Sequence, residues 1–111
     1  MKKRKRVPYW SVRPNRSRFE GKIYDAIWER DDGTCVYCRE AGHQIDHVVP
    51  RTRGGRAIRS NGVVCCRSCN TKKRAKIEFD FLFIAFFHLL EKGESLEWLD
   101  ELYETGKRDV A

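Results

Sequence analysis

Cys35-Val36-Tyr37-Cys38 and Cys66-Arg67-Ser68-Cys69 are two Cys-x-x-Cys knuckles with 27 residues between them, and the region they bracket decides the fold. Two thiolates at this spacing chelate one ion. Two such pairs close a tetrahedral four-thiolate zinc site with no open position. A closed site is structural: its binding free energy stands in for a core that so short a segment cannot build. Disulfides are the other explanation for five cysteines in 111 residues. The odd count argues against them. So does the start of the chain, where Lys2-Lys3-Arg4-Lys5-Arg6 is followed by no apolar run of the signal-peptide kind. The expected setting is a reducing one, cytoplasmic, with one zinc per chain. Cys65 is left over, because Cys66 alone completes the two-residue gap; it is expected as a buried strand residue.

Outward from the knuckles the pattern predicts an α+β chain. Gln44 to Val49 reads as one strand, Pro50 to Arg59 as a Gly/Arg-rich loop, and Gly62 to Cys66 as a second strand. A basic helix is expected from near Asn70. Upstream, Ser17-Arg18-Phe19-Glu20 fits a capping box that opens a helix with an apolar stripe of Phe19, Ile23 and Ile27. Asp31-Asp32-Gly33 ends it. Downstream, Phe79 to Leu90 is apolar on nearly every face, yet too short for the roughly twenty residues that a membrane span needs. Gly93 breaks this run, and Ser95 caps a last helix carrying Leu96, Leu99, Leu102 and Tyr103. The aromatic helix is expected to pack on the first helix, with a homodimer through the C-terminal helices as the competing use of its phenylalanines. The organisation read from this is a flexible basic arm over 1–16 and a single domain over 17–111. Its core covers 31–76 and its helical extension 77–111.

Charge is distributed unevenly. Residues 1–76 carry 20 Lys/Arg against 7 Asp/Glu, a net of +13, whereas 77–111 carry a net of −6. So basic a segment points to a polyanionic partner, DNA first, because phosphate neutralisation releases counterions.

Between and after the knuckles stand Ile45-Asp46-His47-Val48-Val49-Pro50, Gly54-Gly55, Ser60-Asn61 and Asn70-Thr71-Lys72-Lys73. Knuckle, Asp-His, Gly-Gly, central Asn, second knuckle and Asn-x-x-Lys, in that order, closely resemble the HNH endonuclease family in its four-cysteine form. The likeness covers about two-fifths of the chain. It implies a ββα-metal core, stapled by zinc, that hydrolyses phosphodiester bonds. On that resemblance His47 matches the general base, and Asp46 and Asn70 match the protein ligands of one catalytic Mg2+ or Mn2+. Asn61 matches the central residue, whose carbonyl side is expected to hold the His47 ring. Lys72 and Lys73 are expected at phosphates, and Arg51 and Arg53 in the loop are expected to reach a groove. Three positions depart from the family pattern: Arg39 and Arg74 replace frequent glycines, and Gly62 stands where an aliphatic residue is usual.

The competing reading is a non-catalytic zinc-ribbon module that only binds nucleic acid. A third is a regulatory or toxin-like domain that binds a partner through its acidic, aromatic tail. Asp46, His47 and Asn70 separate these, since a pure binder has no use for a carboxylate in a basic cleft. His43 reads as a lone surface histidine and His88 as a structural one.

Overall fold

A computed structural model describes residues 18–73, 79–102 and 104. The basic arm, Ser17 of the expected capping box, Arg74 and Tyr103 lie outside the described residues. In chain order the elements are α1 (Gly21–Arg30), β1 (Gln44–His47), β2 (Gly62–Cys65), α2 (Arg67–Lys73) and α3 (Phe79–Glu91). Short 3-10 turns at Arg51–Arg53 and Arg59–Asn61 occupy the loop between the strands, and residues 98–102 are helical. The chain is α+β, with a ββα run of β1, β2 and α2.

The strands pair antiparallel, with Gln44 opposite Cys65, Asp46 opposite Val63 and His47 opposite Gly62. All four residues of β2 are buried, as its unbroken apolar run requires, whereas β1 is fully buried only at Asp46. The first knuckle lies beside β2: the Val36 amide donates to the Val64 carbonyl at 2.9 Å. Both strands are shorter than the sequence patterns suggest: the paired residues run only from Gln44 opposite Cys65 to His47 opposite Gly62.

α1 begins at Gly21, later than the expected capping box, and its N-cap Glu20 makes no side-chain capping bond. Phe19 therefore precedes the helix instead of opening its stripe. Of that stripe only Ile27 is fully buried, and Ile23 remains 39% exposed. The physical reason lies at Gly62. A side chain there would collide with Ile27 and with the Phe19 ring. The missing aliphatic residue at 62 thus leaves the space that Phe19 and α1 fill.

α3 packs differently from the expectation. Its buried residues Ala85 and Leu89 join Val36, Val48 and Val63 in one cluster, with Tyr37, Leu82, Phe86 and Leu96 packed around it. Its apolar partners are thus the knuckle and sheet, not the stripe of α1. The polar anchor is His88, whose Nε2 donates to Asp31 Oδ1 at 2.6 Å. Asp31 Oδ2 accepts from the Val64 amide and from Arg30 Nη2, both at 2.9 Å. Burial works to raise the Asp31 carboxyl, but the bonds from His88, Arg30 and Val64 outweigh it and hold it at about 2. His88 is therefore the structural residue that the sequence suggested, tying α3 to the end of α1. The opposite face of α3 leaves Phe79, Phe83 and Phe87 at 74%, 58% and 64% exposed, their rings stacked pairwise 6.3 Å apart.

Candidate active site

The four knuckle thiols converge. The Sγ atoms of Cys35, Cys38, Cys66 and Cys69 all lie within 4.8 Å of one another, and Cys38 and Cys66 are 3.6 Å apart. Four sulfurs at Zn–S distances of about 2.3 Å would sit under 4 Å from each other, so the donor set fits a tetrahedral zinc. Burial pushes the Cys35 thiol up. Amide hydrogen bonds from Cys38, Cys66 and Tyr37 more than offset that and bring it down to about 7, a thiol ready to bind as thiolate. Cys65 is fully buried outside this group, its Sγ donating to the Cys66 carbonyl at 3.2 Å.

α2 starts three residues before the expected point, and the knuckle itself is the reason. The Cys69 amide donates to Cys66 Sγ at 3.3 Å, so the Cys66 sulfur does what an oxygen does at an ordinary N-cap. His43 supports the same end, its Nδ1 accepting the Arg67 amide at 3.0 Å. Asn70 accordingly lies inside the helix, its amide bonded to the Cys66 carbonyl, and is not a cap. It is half-buried.

Asp46 stands where the zinc knot, β1 and α2 meet. Its carboxylate is buried, with a hydrogen bond at 2.8 Å from the Tyr37 hydroxyl and the Lys73 ammonium 3.2 Å from Oδ2. Lys73 Nζ also donates to the His47 carbonyl at 2.9 Å. Burial lifts the Asp46 carboxyl above its ordinary value, with Lys73 and Tyr37 pulling against it. Asn70 lies three residues before Lys73 on α2, a spacing that puts the two on one side of the helix. Carboxylate and carbonyl oxygens that already hold a cation are the donor class that a hard divalent ion takes. The residues present fit such an ion.

His47 follows on β1, half-exposed, with the Phe19 ring tilted against its imidazole at 4.6 Å between centroids. Asn61 is fully buried, and its described side-chain bonds go to the loop. Oδ1 accepts the Val49 amide at 2.8 Å, and Nδ2 donates to the carbonyls of Val49 and Arg56. The Asn61 carbonyl also accepts the Val48 amide at 3.0 Å. Asn61 thus fixes the backbone just after His47. Gly55 has to be a glycine here, since a side chain would run into the Val49 carbonyl and the Asn61 amide.

Arg51, Arg53 and Lys72 are exposed, as a phosphate-contacting surface requires. Lys73 is not: it is 0% exposed, turned inward to Asp46. The expected surface phosphate contact is corrected to a buried ion pair, because an ammonium is stable inside only beside a counter-charge. Tyr37 and Phe19 are the site residues that the sequence did not announce. Tyr37 fills one of the unconstrained x positions of a knuckle, and Phe19 looked like a helix-stripe residue.

Residues 35–83 match the HNH endonuclease family. The matched HNH segment runs from the first knuckle through Asp46, His47, Asn61 and Asn70 into α3, and it supports a nuclease-type function. No curated protein and no solved structure matches the chain. Among the described residues no helix is long and apolar enough to cross a membrane.

Proposed function

We propose that this chain is a metal-dependent DNA endonuclease that hydrolyses one phosphodiester strand per site. The observation that carries this is the Asp46-His47 pair on β1, met by Lys73 of α2 and by Tyr37 of the first knuckle, within the segment that matches the HNH endonuclease family. His47 takes the proton of the attacking water at an imidazole nitrogen, a step contributing roughly 10²- to 10⁴-fold. Phe19 supports the ring, and Asn61 fixes the backbone beyond it. Asp46 and Asn70 would hold the Mg2+ or Mn2+, which would supply charge stabilisation to the phosphate and leaving oxygen. Arg51, Arg53 and Lys72 position the DNA backbone. The knuckle thiols hold the structural zinc, and free thiolates of this kind suit a reducing, cytoplasmic setting.

The alternative, a silent zinc-ribbon binder, has the same four-cysteine cluster in its favour. Supercoiled plasmid incubated with Mg2+, Mn2+ or EDTA separates the two. Conversion to nicked or linear DNA only in the divalent metals supports the nuclease; retention without conversion supports the binder.

We further propose that a second copy covers the aromatic face of α3, which would bring two sites to the two strands. Phe79, Phe83 and Phe87 at the exposures found here, on about 200 Å² each, offer roughly 400 Å² per copy. That is about half of the 800 Å² per partner of a standard interface, so the dimer is weak and concentration-dependent. Sedimentation across a concentration series tests it, and Phe83→Glu should leave a monomer at every concentration.

A further inference from the structure

We propose that Lys73 is a resident counter-cation of Asp46 which must withdraw when a divalent ion binds; this rests on the metal-site reading above. Lys73 lies on α2 and its side chain is 1% exposed. Its Nζ stands 3.2 Å and 3.5 Å from the two Asp46 oxygens and 2.9 Å from the His47 carbonyl oxygen. An ammonium so placed is surrounded by the kinds of oxygen that a hard divalent cation collects. It also keeps the buried carboxylate from standing unpaired, a state that is strongly destabilising.

A second cation beside it is unfavourable in the absence of DNA. One carboxylate facing both an ammonium and a divalent ion leaves uncompensated positive charge at short range. Tyr37 stays compatible with either occupant, because its hydroxyl donates to Oδ2 whatever cation faces the carboxylate. Lys73 therefore has two positions: inward on Asp46 without metal, and released toward solvent with it. Release delivers a positive charge next to the exposed Lys72, on the side where phosphate is expected. Metal loading and phosphate contact are coupled through this one side chain.

The direct experiment uses the wild-type, zinc-loaded chain without DNA. Acylation of Lys73 by an amine-reactive reagent is followed by mass spectrometry with and without Mn2+, with Lys72 as the internal reference. The proposal expects Mn2+ to raise the Lys73 rate at least about tenfold relative to Lys72; an unchanged ratio overturns it. Mn2+ titrations followed by electron paramagnetic resonance give the second readout. Lys73→Met should bind Mn2+ at least about tenfold more tightly than wild type, having lost the competitor, and equal or weaker binding overturns the proposal. Asp46→Asn keeps the two claims apart. A wild-type Mn2+ site that Asp46→Asn abolishes, with no tightening in Lys73→Met, refutes the displacement alone. A chain with no Asp46-dependent Mn2+ site refutes the metal-site reading and the displacement together.

Discussion

The Tyr37 hydroxyl, from inside the first zinc knuckle, donates to Asp46 Oδ2 at 2.8 Å. The knuckle that staples the fold therefore also aims the carboxylate at the candidate centre. Both partners are largely buried, and burial together with the neighbouring Asp46 charge pushes the Tyr37 phenol well above its ordinary range, so it remains a donor at every working pH. Tyr37→Phe keeps the ring against Phe81 and removes only the bond. It should cost about 1–2 kcal/mol in chemical denaturation. Zinc content should stay at wild type while Mn2+ affinity falls, and unchanged affinity would separate the knuckle from the site.

Zinc removal should unfold the segment that the knuckles bracket. A strong chelator or Cys38→Ser should abolish the cooperative thermal transition, because the closed thiolate site substitutes for core. Cys65→Ser should lose only about 1–2 kcal/mol, since a hydroxyl replaces the Cys65 thiol on the Cys66 carbonyl. Elemental analysis should give one zinc per chain in Cys65→Ser, and a zinc-free product would overturn the ligand assignment.

Acid should undock α3. Asp31 is held at about 2 in the folded chain, below the 3.8 of the free carboxyl. A depressed folded value means that its stabilisation is complete above about pH 4 and is lost as pH falls toward 2. His88→Ala removes a donor from the same carboxylate and should cost about 1–3 kcal/mol at neutral pH. Its unfolding curve should also be flatter between pH 4 and 2 than that of wild type.

Arg39 stands in the left-handed region, at φ 71°. A side chain there costs about 1–2 kcal/mol, which glycine avoids while losing more chain entropy on folding. Arg39→Gly should therefore stabilise the protein by up to about 1 kcal/mol in urea denaturation.

What the sequence made legible follows from how local each signal is. The knuckles, the Asp46-His47 pair and the two strands could be read because their spacing or alternation is set within a few residues. The start of α2 could not, because Asn70 is a good cap by composition whereas the Cys66 sulfur that caps it belongs to the knuckle. Lys73 looked like surface, since nothing near it in the chain says that Asp46, 27 residues away, stands beneath it. Phe19 was misplaced for the converse reason. Its spacing to Ile23 is helical, but the empty volume over Gly62 draws the ring out of the stripe. The exposed ladder of Phe79, Phe83 and Phe87 was visible only as hydrophobicity; which face of α3 lay inward depended on Asp31 and His88, far apart in sequence.

The central claim is that His47 is the general base of a nuclease, and cleavage of supercoiled plasmid by His47→Ala tests it most directly. Circular dichroism, zinc content and DNA affinity should match wild type, because His47 is neither a thiolate ligand nor a phosphate clamp. The single-turnover rate in Mg2+ or Mn2+ should fall roughly 10²- to 10⁴-fold. Wild-type cleavage by a folded, zinc-loaded His47→Ala chain would contradict the account.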